Sequence, residues 1–475
     1  MRRFLTHEDT ILGLVTLLLI APFFVFRDLP LYDLPDHIAR QHILFGEGAP
    51  GAAQYYEAHW RLLPNLAMEG FVFLFHRLIG VEGAVRLFLA LTAAQLFWGA
   101  LAVNRALHGK ISRLGVLAAL FVYNGPFMLG FVNLCFGLGM ALWVFALWIS
   151  WRDRAWALPV FAALASLILV AHLFAFAVYA LVVLAYEAGL LLKTRRRAWK
   201  SHLPDLLPLL HLLVPLAIYW GLMPREVTVG GFYYAPLLLK FAELRSAVGF
   251  YNPLFDSLSL LVLLLFSLAV LRRIEIDRDL VLPLAVLVLA YVLLPHQLGE
   301  GTFVDYRMPA MTALLLAGSL DWRVGAAPRR RSVEAFILAL FLLRWGMTVV
   351  QWQSWQEDYA QYRAAFAQLP EGAKLLPLSA DPDLVEPEQH PPLAHMAALA
   401  VTLRGALIPS LFADLGHQLL VYREPYRDLA TQLPSAALAP YFDYVLLIRP
   451  EEMAAPPAYD EIARGRTFVL GRLKH

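Results

Sequence analysis

One cysteine in 475 residues, Cys135, excludes an intramolecular disulfide framework. It sits in an apolar run beside Gly137 and Gly139, where a small packing residue suits a helix. Charge is scarce as well. Only 16% of residues are charged, against about 25% in ordinary soluble domains. The net charge of +2 gives no basis for a nucleic-acid partner. The sequence has no P-loop, no His-Glu-x-x-His, no Gly-x-Ser-x-Gly and no paired-cysteine zinc pattern. What it has in excess is apolar surface: 60% of residues are hydrophobic and the mean hydropathy is +0.60. A water-soluble chain of this length could not hide that much, because its surface still grows steeply with size. Lipid is the remaining solvent.

A membrane helix needs about 20 mainly apolar residues. Such runs lie near 10–26, 84–103, 114–124, 131–150, 156–171, 173–192, 204–223, 255–271, 280–295, 307–320 and 333–350, or about eleven spans. The first is longer than a signal-peptide core. Arg27-Asp28-Leu29-Pro30 follows it in place of a small-residue cleavage site, so we expect an uncleaved span. Every second gap is basic: Arg2 and Arg3; Arg105, Lys110 and Arg113; Arg152 and Arg154; Lys193, Arg195, Arg196, Arg197 and Lys200; Arg272, Arg273 and Arg278; Arg323, Arg329, Arg330 and Arg331. Lys and Arg stay on the cytoplasmic side, so the alternation predicts a cytoplasmic N-terminus and, with an odd span count, an extracytoplasmic C-terminus. The segment Leu66 to Ile79 is apolar but short, and Glu69, His76 and Arg77 interrupt it. A crossing there would break the alternation, so it is expected to lie on the outer surface. The organisation that follows is a transmembrane domain over 1–350, with a large outer loop over 28–83, and a small α/β domain over 351–475 outside the membrane. In the latter, Trp352 to Phe366 reads as a helix. Lys374 to Leu378, Tyr444 to Ile448 and Thr467 to Leu473 read as strands.

Candidate chemistry gathers on the predicted outer face. Tyr32-Asp33-Leu34-Pro35-Asp36-His37-Ile38-Ala39-Arg40 places two carboxylates, a histidine and an arginine in nine residues. With a helix starting near Pro35, Asp36 and Arg40 fall on one face, at ion-pair spacing. Asp33 or Asp36 is the candidate general base, with His37 and Arg40 beside an anionic group. Asn124 and Asn133 flank a turn and could bind hydroxyls. His172 closes the fifth span, and His296 and Arg307 lie in a polar loop, where Arg307 could hold a lipid phosphate. Gly230 to Tyr234 supplies aromatics suited to an interfacial belt. His211, in mid-span, fits a hydrogen-bonded packing role better than a proton relay.

An acidic pair after the first span, about eleven spans, an outer amphipathic helix and a C-terminal outer domain together resemble the GT-C glycosyltransferases. In these membrane enzymes the family's acidic pair is usually adjacent or one apart, whereas Leu34 and Pro35 separate Asp33 from Asp36 here. Leu34 to Arg40 is similar to a segment of bacterial GT-C-like proteins. The resemblance implies an inverting transfer from a polyprenyl-phosphate-linked sugar donor to a glycan, lipid or protein acceptor, in the bacterial inner membrane. Some family members use a divalent metal (Mg or Mn), which two aspartates and a histidine could bind. Two other classes fit the hydrophobic body: a transporter or flippase, and a non-catalytic protein that binds a lipid-linked glycan. A transporter should show ionisable residues deep in its spans or repeated halves. The candidates lie at the rim instead.

The orientation is testable with topology reporters. Fusions after Arg197 and after Arg331 are expected to report cytoplasm, and a fusion at His475 the outer side. A cytoplasmic signal at His475 overturns the orientation.

Overall fold

The computed structural model describes residues 7–193, 206–223, 231–270, 272–299, 301–323, 330–380, 392–413, 418–428, 434–453 and 456–474. The basic-gap residues Arg2, Arg3, Arg195, Arg196, Arg197, Lys200 and Arg329, and the belt residue Gly230, lie outside them. The chain is a mostly helical polytopic membrane protein with a small C-terminal sheet. Among the described residues, five helices are long and apolar enough to cross a membrane: Ala67–His108, Val132–Trp151, Leu173–Lys193, Pro253–Val270 and Arg330–Phe366. Five shorter apolar helical stretches accompany them: Thr10–Val25, Arg113–Leu129, Ala157–Ala171, Leu207–Leu222 and Val281–Leu293.

Two helices differ from the sequence expectation. The outer segment is the first part of Ala67–His108, and Gly80 breaks that helix with a left-handed φ of 72° that other residues rarely adopt. The last span and the helix expected after it are one helix, Arg330–Phe366. The composition changes from apolar to polar near residue 351, but the backbone hydrogen bonding does not depend on that change.

The residues divide into two compact units. The first comprises Met1–Pro22, Pro64–Met68 and Leu89–Met347. Its helices pack through small residues, as lipid-embedded helices do where close approach replaces the hydrophobic effect. A Cβ added to Gly137 would lie 2.7 Å from the Ala175 Cβ, and one on Gly99 would lie 2.9 Å from the Leu142 Cβ. Several of its buried polar groups pair across helices, as membrane burial favours. Asn104 donates to the Gly318 and Leu320 carbonyls. Arg152 meets Glu187 at 2.8 Å, and Arg344 meets Asp256 at 2.7 Å. His211 is buried between the Pro208 carbonyl at 2.7 Å and the Tyr179 hydroxyl at 3.1 Å, against the Trp148 ring, which is the packing role expected of it. Phe232, Tyr233 and Tyr234 are exposed, as belt aromatics would be.

The second unit comprises Phe23–Leu63, Glu69–Phe88 and Thr348–His475. Its sheet has four strands, in the order Leu375–Ser379, Tyr444–Ile448, Phe468–Leu473, Tyr459–Arg464. The first pair is parallel and the others antiparallel. Parallel pairing needs a long crossover, and the chain between these strands includes the helix Ala398–Arg404. Segments from the N-terminal half complete the unit. Tyr56–Ala58 pairs antiparallel with Leu420–Tyr422, Arg363 binds Asp28, and Trp352 packs edge-on against Phe23 and Phe26.

Leu446 is fully buried in the strand flanked on both sides. Leu446→Ala should cost about 2–5 kcal/mol. In detergent, limited proteolysis is expected to leave the strands Tyr444–Ile448, Tyr459–Arg464 and Phe468–Leu473 intact in the parent protein and to cut them rapidly in the variant. Equally rapid cutting of the parent would show that no compact unit exists there.

Candidate functional site

Asp33 directly precedes the helix Leu34–Leu44, and Pro35 occupies its first turn, where a missing N–H costs nothing. Asp36 and Arg40 lie one turn apart, yet they do not pair at contact distance. Arg40, 1% exposed, binds the Glu69 carboxylate and donates to Gln418 at 2.5 Å, with His37 Nδ1 3.2 Å away. The expected Asp36–Arg40 ion pair is therefore corrected: Glu69 takes the guanidinium, and Gln41 reinforces Glu69 at 3.1 Å.

Asp36 faces His395 instead. Its Oδ2 lies 2.6 Å from His395 Nδ1, while Asp33 Oδ1 lies 3.4 Å from His395 Nε2. One imidazole thus stands between the two carboxylates. Tyr32 and Phe412 pack against the ring. The 2.6 Å approach is an ion contact without hydrogen-bond alignment, since neither Asp36 oxygen has an aligned donor. Burial pushes the Asp36 carboxyl above its ordinary range, although His395 and Arg40 pull it down. The carboxylates, Asp36 first, outweigh burial at His395 and push its imidazole up to about 9. The two side chains differ in access: 11% of the Asp33 side chain is exposed, against 1% for Asp36.

The other candidates belong to the first unit. Asn124 caps the helix Gly125–Leu129, accepting from Phe127 N and donating to Phe121 O. Asn133 accepts from Met68 N at 2.8 Å and donates to Asn65. His172 accepts from Phe174 N at 3.1 Å. Arg307 is half-buried, donates to the Thr302 carbonyl and lies over the Phe131 ring at 4.9 Å.

His296 belongs to a cluster that the sequence did not reveal. Its Nδ1 is 2.9 Å from Asp305 Oδ1 and 3.6 Å from Glu243 Oε1. Lys240 Nζ binds Asp305 Oδ2 at 2.5 Å and the Tyr291 and Leu294 carbonyls. Pairing of Phe232–Tyr233 with Gln297–Leu298 holds the His296 loop, and His296 N donates to Tyr233 O. Glu243 Oε2 is buried without a hydrogen-bond partner, and burial pushes the Glu243 carboxyl up. Glu243, His296 and Asp305 each offer one donor atom within 4.8 Å of the others, so this triad could hold a metal ion. The expected grouping of Asp33, Asp36 and His37 does not form such a set among the described residues.

His395 and Glu69 are the main residues that sequence reasoning missed as functional partners. The one available signal for His395 was a lone histidine in the otherwise apolar stretch 393–401.

No protein-family model matches the sequence, and no curated protein matches it. The structure matches the crystal structure of ArnT from Cupriavidus metallidurans in the apo state, with a TM-score of 0.57 and 12% identity over 98% of each chain. That likeness establishes the fold, which is the one the GT-C resemblance implied.

The raised His395 value gives a stability prediction. A basic group pushed up on folding stabilises fully below its unfolded value of about 6.5, and that contribution is lost as pH rises towards 9. The apparent Tm in detergent should fall over this interval, and the fall should be absent in His395→Gln. A variant with the same fall as the parent would show that the imidazole is not held between the carboxylates.

Proposed function

We propose that this chain is a membrane glycosyltransferase of the GT-C type that moves a sugar, with inversion, from a polyprenyl-phosphate carrier to an extracytoplasmic acceptor. The observation that carries the reading is the His395 imidazole between Asp33 and Asp36; the ArnT-like fold supports it. In this reading Asp33, the more accessible carboxylate, is the general base. The acceptor oxygen bonds to the anomeric carbon, and its proton passes to Asp33. The bond from that carbon to the phosphate oxygen breaks, and the electron pair leaves on the polyprenyl phosphate. His395, charged at neutral pH, favours the ionised form of Asp33 until the proton arrives. Asp36 is a positioning residue that orients the ring and maintains its charge, the division of labour of a buried carboxylate behind a histidine. Arg40 and His37 hold the helix that carries Asp36 and that Asp33 directly precedes.

Glycosyl transfer from a phosphate needs little activation of the leaving group, so positive charge near the phosphate is the main requirement. We assign Arg307 to that role. Asn124, Asn133 and His172 contribute to donor binding by fixing their loops, since their side chains already engage backbone partners. A divalent ion, Mg or Mn, fits Glu243, His296 and Asp305, where the unpaired Glu243 oxygen offers a ligand. When bound, such an ion supplies charge that stabilises phosphate.

The test is sugar transfer from a polyprenyl-phosphate-linked donor in membranes. Asp33→Asn should lose about 10²–10⁴ in rate. Asp36→Asn should lose less and should lower the pH at which activity falls, because His395 then loses its charge more easily. If the double variant, well expressed, turns over like the parent, the assigned site is wrong and the glycan-binding reading takes its place.

A further inference from the structure

The first unit contains a second polar site, unrelated to the chemistry above. A half-enclosed cavity of about 840 Å³ is lined by Arg105, Lys110, Arg113 and Arg331, with Glu334 as the one carboxylate among its described lining residues. Glu334 engages Arg113 at 3.4 Å. Arg105, Lys110 and Arg331 have no acidic partner among the described residues. Like charges converging on a cavity repel one another, and an anion removes that cost.

The loop that carries Lys110 is preorganised. Gly109 ends the helix Ala67–His108 in a left-handed conformation, φ 72°. Asn104 Oδ1 then accepts from Ser112 N at 2.6 Å, while its amide group holds the Gly318 and Leu320 carbonyls. Most of the remaining wall is apolar and includes Leu12, Val116 and Leu338. The cavity lies at the end of one membrane-length helix, Ala67–His108, and at the start of another, Arg330–Phe366. Lipid head groups occupy the level at which such helices leave the hydrocarbon. The volume falls in the range of small-molecule sites, about 300–1,000 Å³.

We propose that this cavity binds the head group of an anionic phospholipid, with the phosphate held by Arg105, Lys110 and Arg331 and the acyl chains lying along the apolar wall. Basic pockets between membrane helices recognise lipid phosphates in this way. The site does not depend on the glycosyltransferase reading.

The experiment uses the full chain in neutral detergent, with bound lipid counted by native mass spectrometry and stability followed by thermal shift. Phosphatidylglycerol is expected to bind at least about tenfold more tightly than phosphatidylcholine and to raise the apparent Tm. Each cation near a lipid surface is worth about a fivefold change in affinity, so Arg105→Gln with Arg331→Gln should weaken phosphatidylglycerol about 25-fold. Glu334→Gln removes the opposing charge and should tighten binding. This second variant keeps the test decisive if the double variant fails to fold. Equal binding of the two lipids would overturn the proposal, as would unchanged phosphatidylglycerol binding in a folded double variant or weaker binding in Glu334→Gln. Stabilisation by inorganic phosphate equal to that by phosphatidylglycerol would also overturn it, by identifying a soluble-anion site.

Discussion

The constraint on which the second unit depends is the burial of Asp36. A carboxylate with 1% of its side chain exposed needs a positive partner, and the nearest sequence neighbour of that charge, Arg40, is held by Glu69. The partner is His395, from the far end of the chain. Placing it there draws together the helix Leu34–Leu44, the segment that carries Glu69 and the C-terminal region. The same segments are joined by the Tyr56–Ala58 pairing with Leu420–Tyr422 and by Arg363 on Asp28. A unit built from three stretches of sequence is thus fastened by ion pairs and short backbone pairing as well as by its sheet.

Membrane burial imposes the same rule on the first unit with different means. Its helices approach closely at Gly99 and Gly137, and its polar side chains find partners on neighbouring helices. Asn104, Glu187 and Asp256 each serve one junction. Asn124 and Asn133, read as possible hydroxyl ligands, belong to this set by their hydrogen bonds. A polar residue at a span end has to satisfy its neighbours' backbone groups first. Spacing in sequence does not separate that duty from substrate binding.

Much of the architecture was legible because it rests on local pattern. Apolar runs mark the spans, and strands such as Tyr444–Ile448, buried on both faces, read as continuous apolar stretches. The strand Tyr459–Arg464 escaped notice because it is an edge strand: Asp460, Glu461 and Arg464 face solvent, and its sequence reads as polar loop. The helix Arg330–Phe366 was divided because solvent changes along it while conformation does not. Half of the Asp33–Asp36–His395 cluster was visible as Asp33-x-x-Asp36. The other half was not, because a contact between residues 36 and 395 leaves no periodic trace in one sequence.

The charge balance of the His296 cluster carries the argument one step further. Glu243 and Asp305 bring two negative charges, and Lys240 brings one positive charge at contact with Asp305. Those three charges sum to one negative charge in excess, although Arg245 nearby eases it. Burial makes an uncompensated charge costly, so a proton or a cation would relieve the cluster. The upward push on Glu243 is the proton solution. A divalent ion is the alternative, using the same carboxylate and the same imidazole nitrogen. The two solutions would compete for the same lone pairs, so any affinity of this cluster for an ion would weaken as pH falls. Lys240 Nζ already engages Asp305 Oδ2 and would compete with an arriving ion for that oxygen.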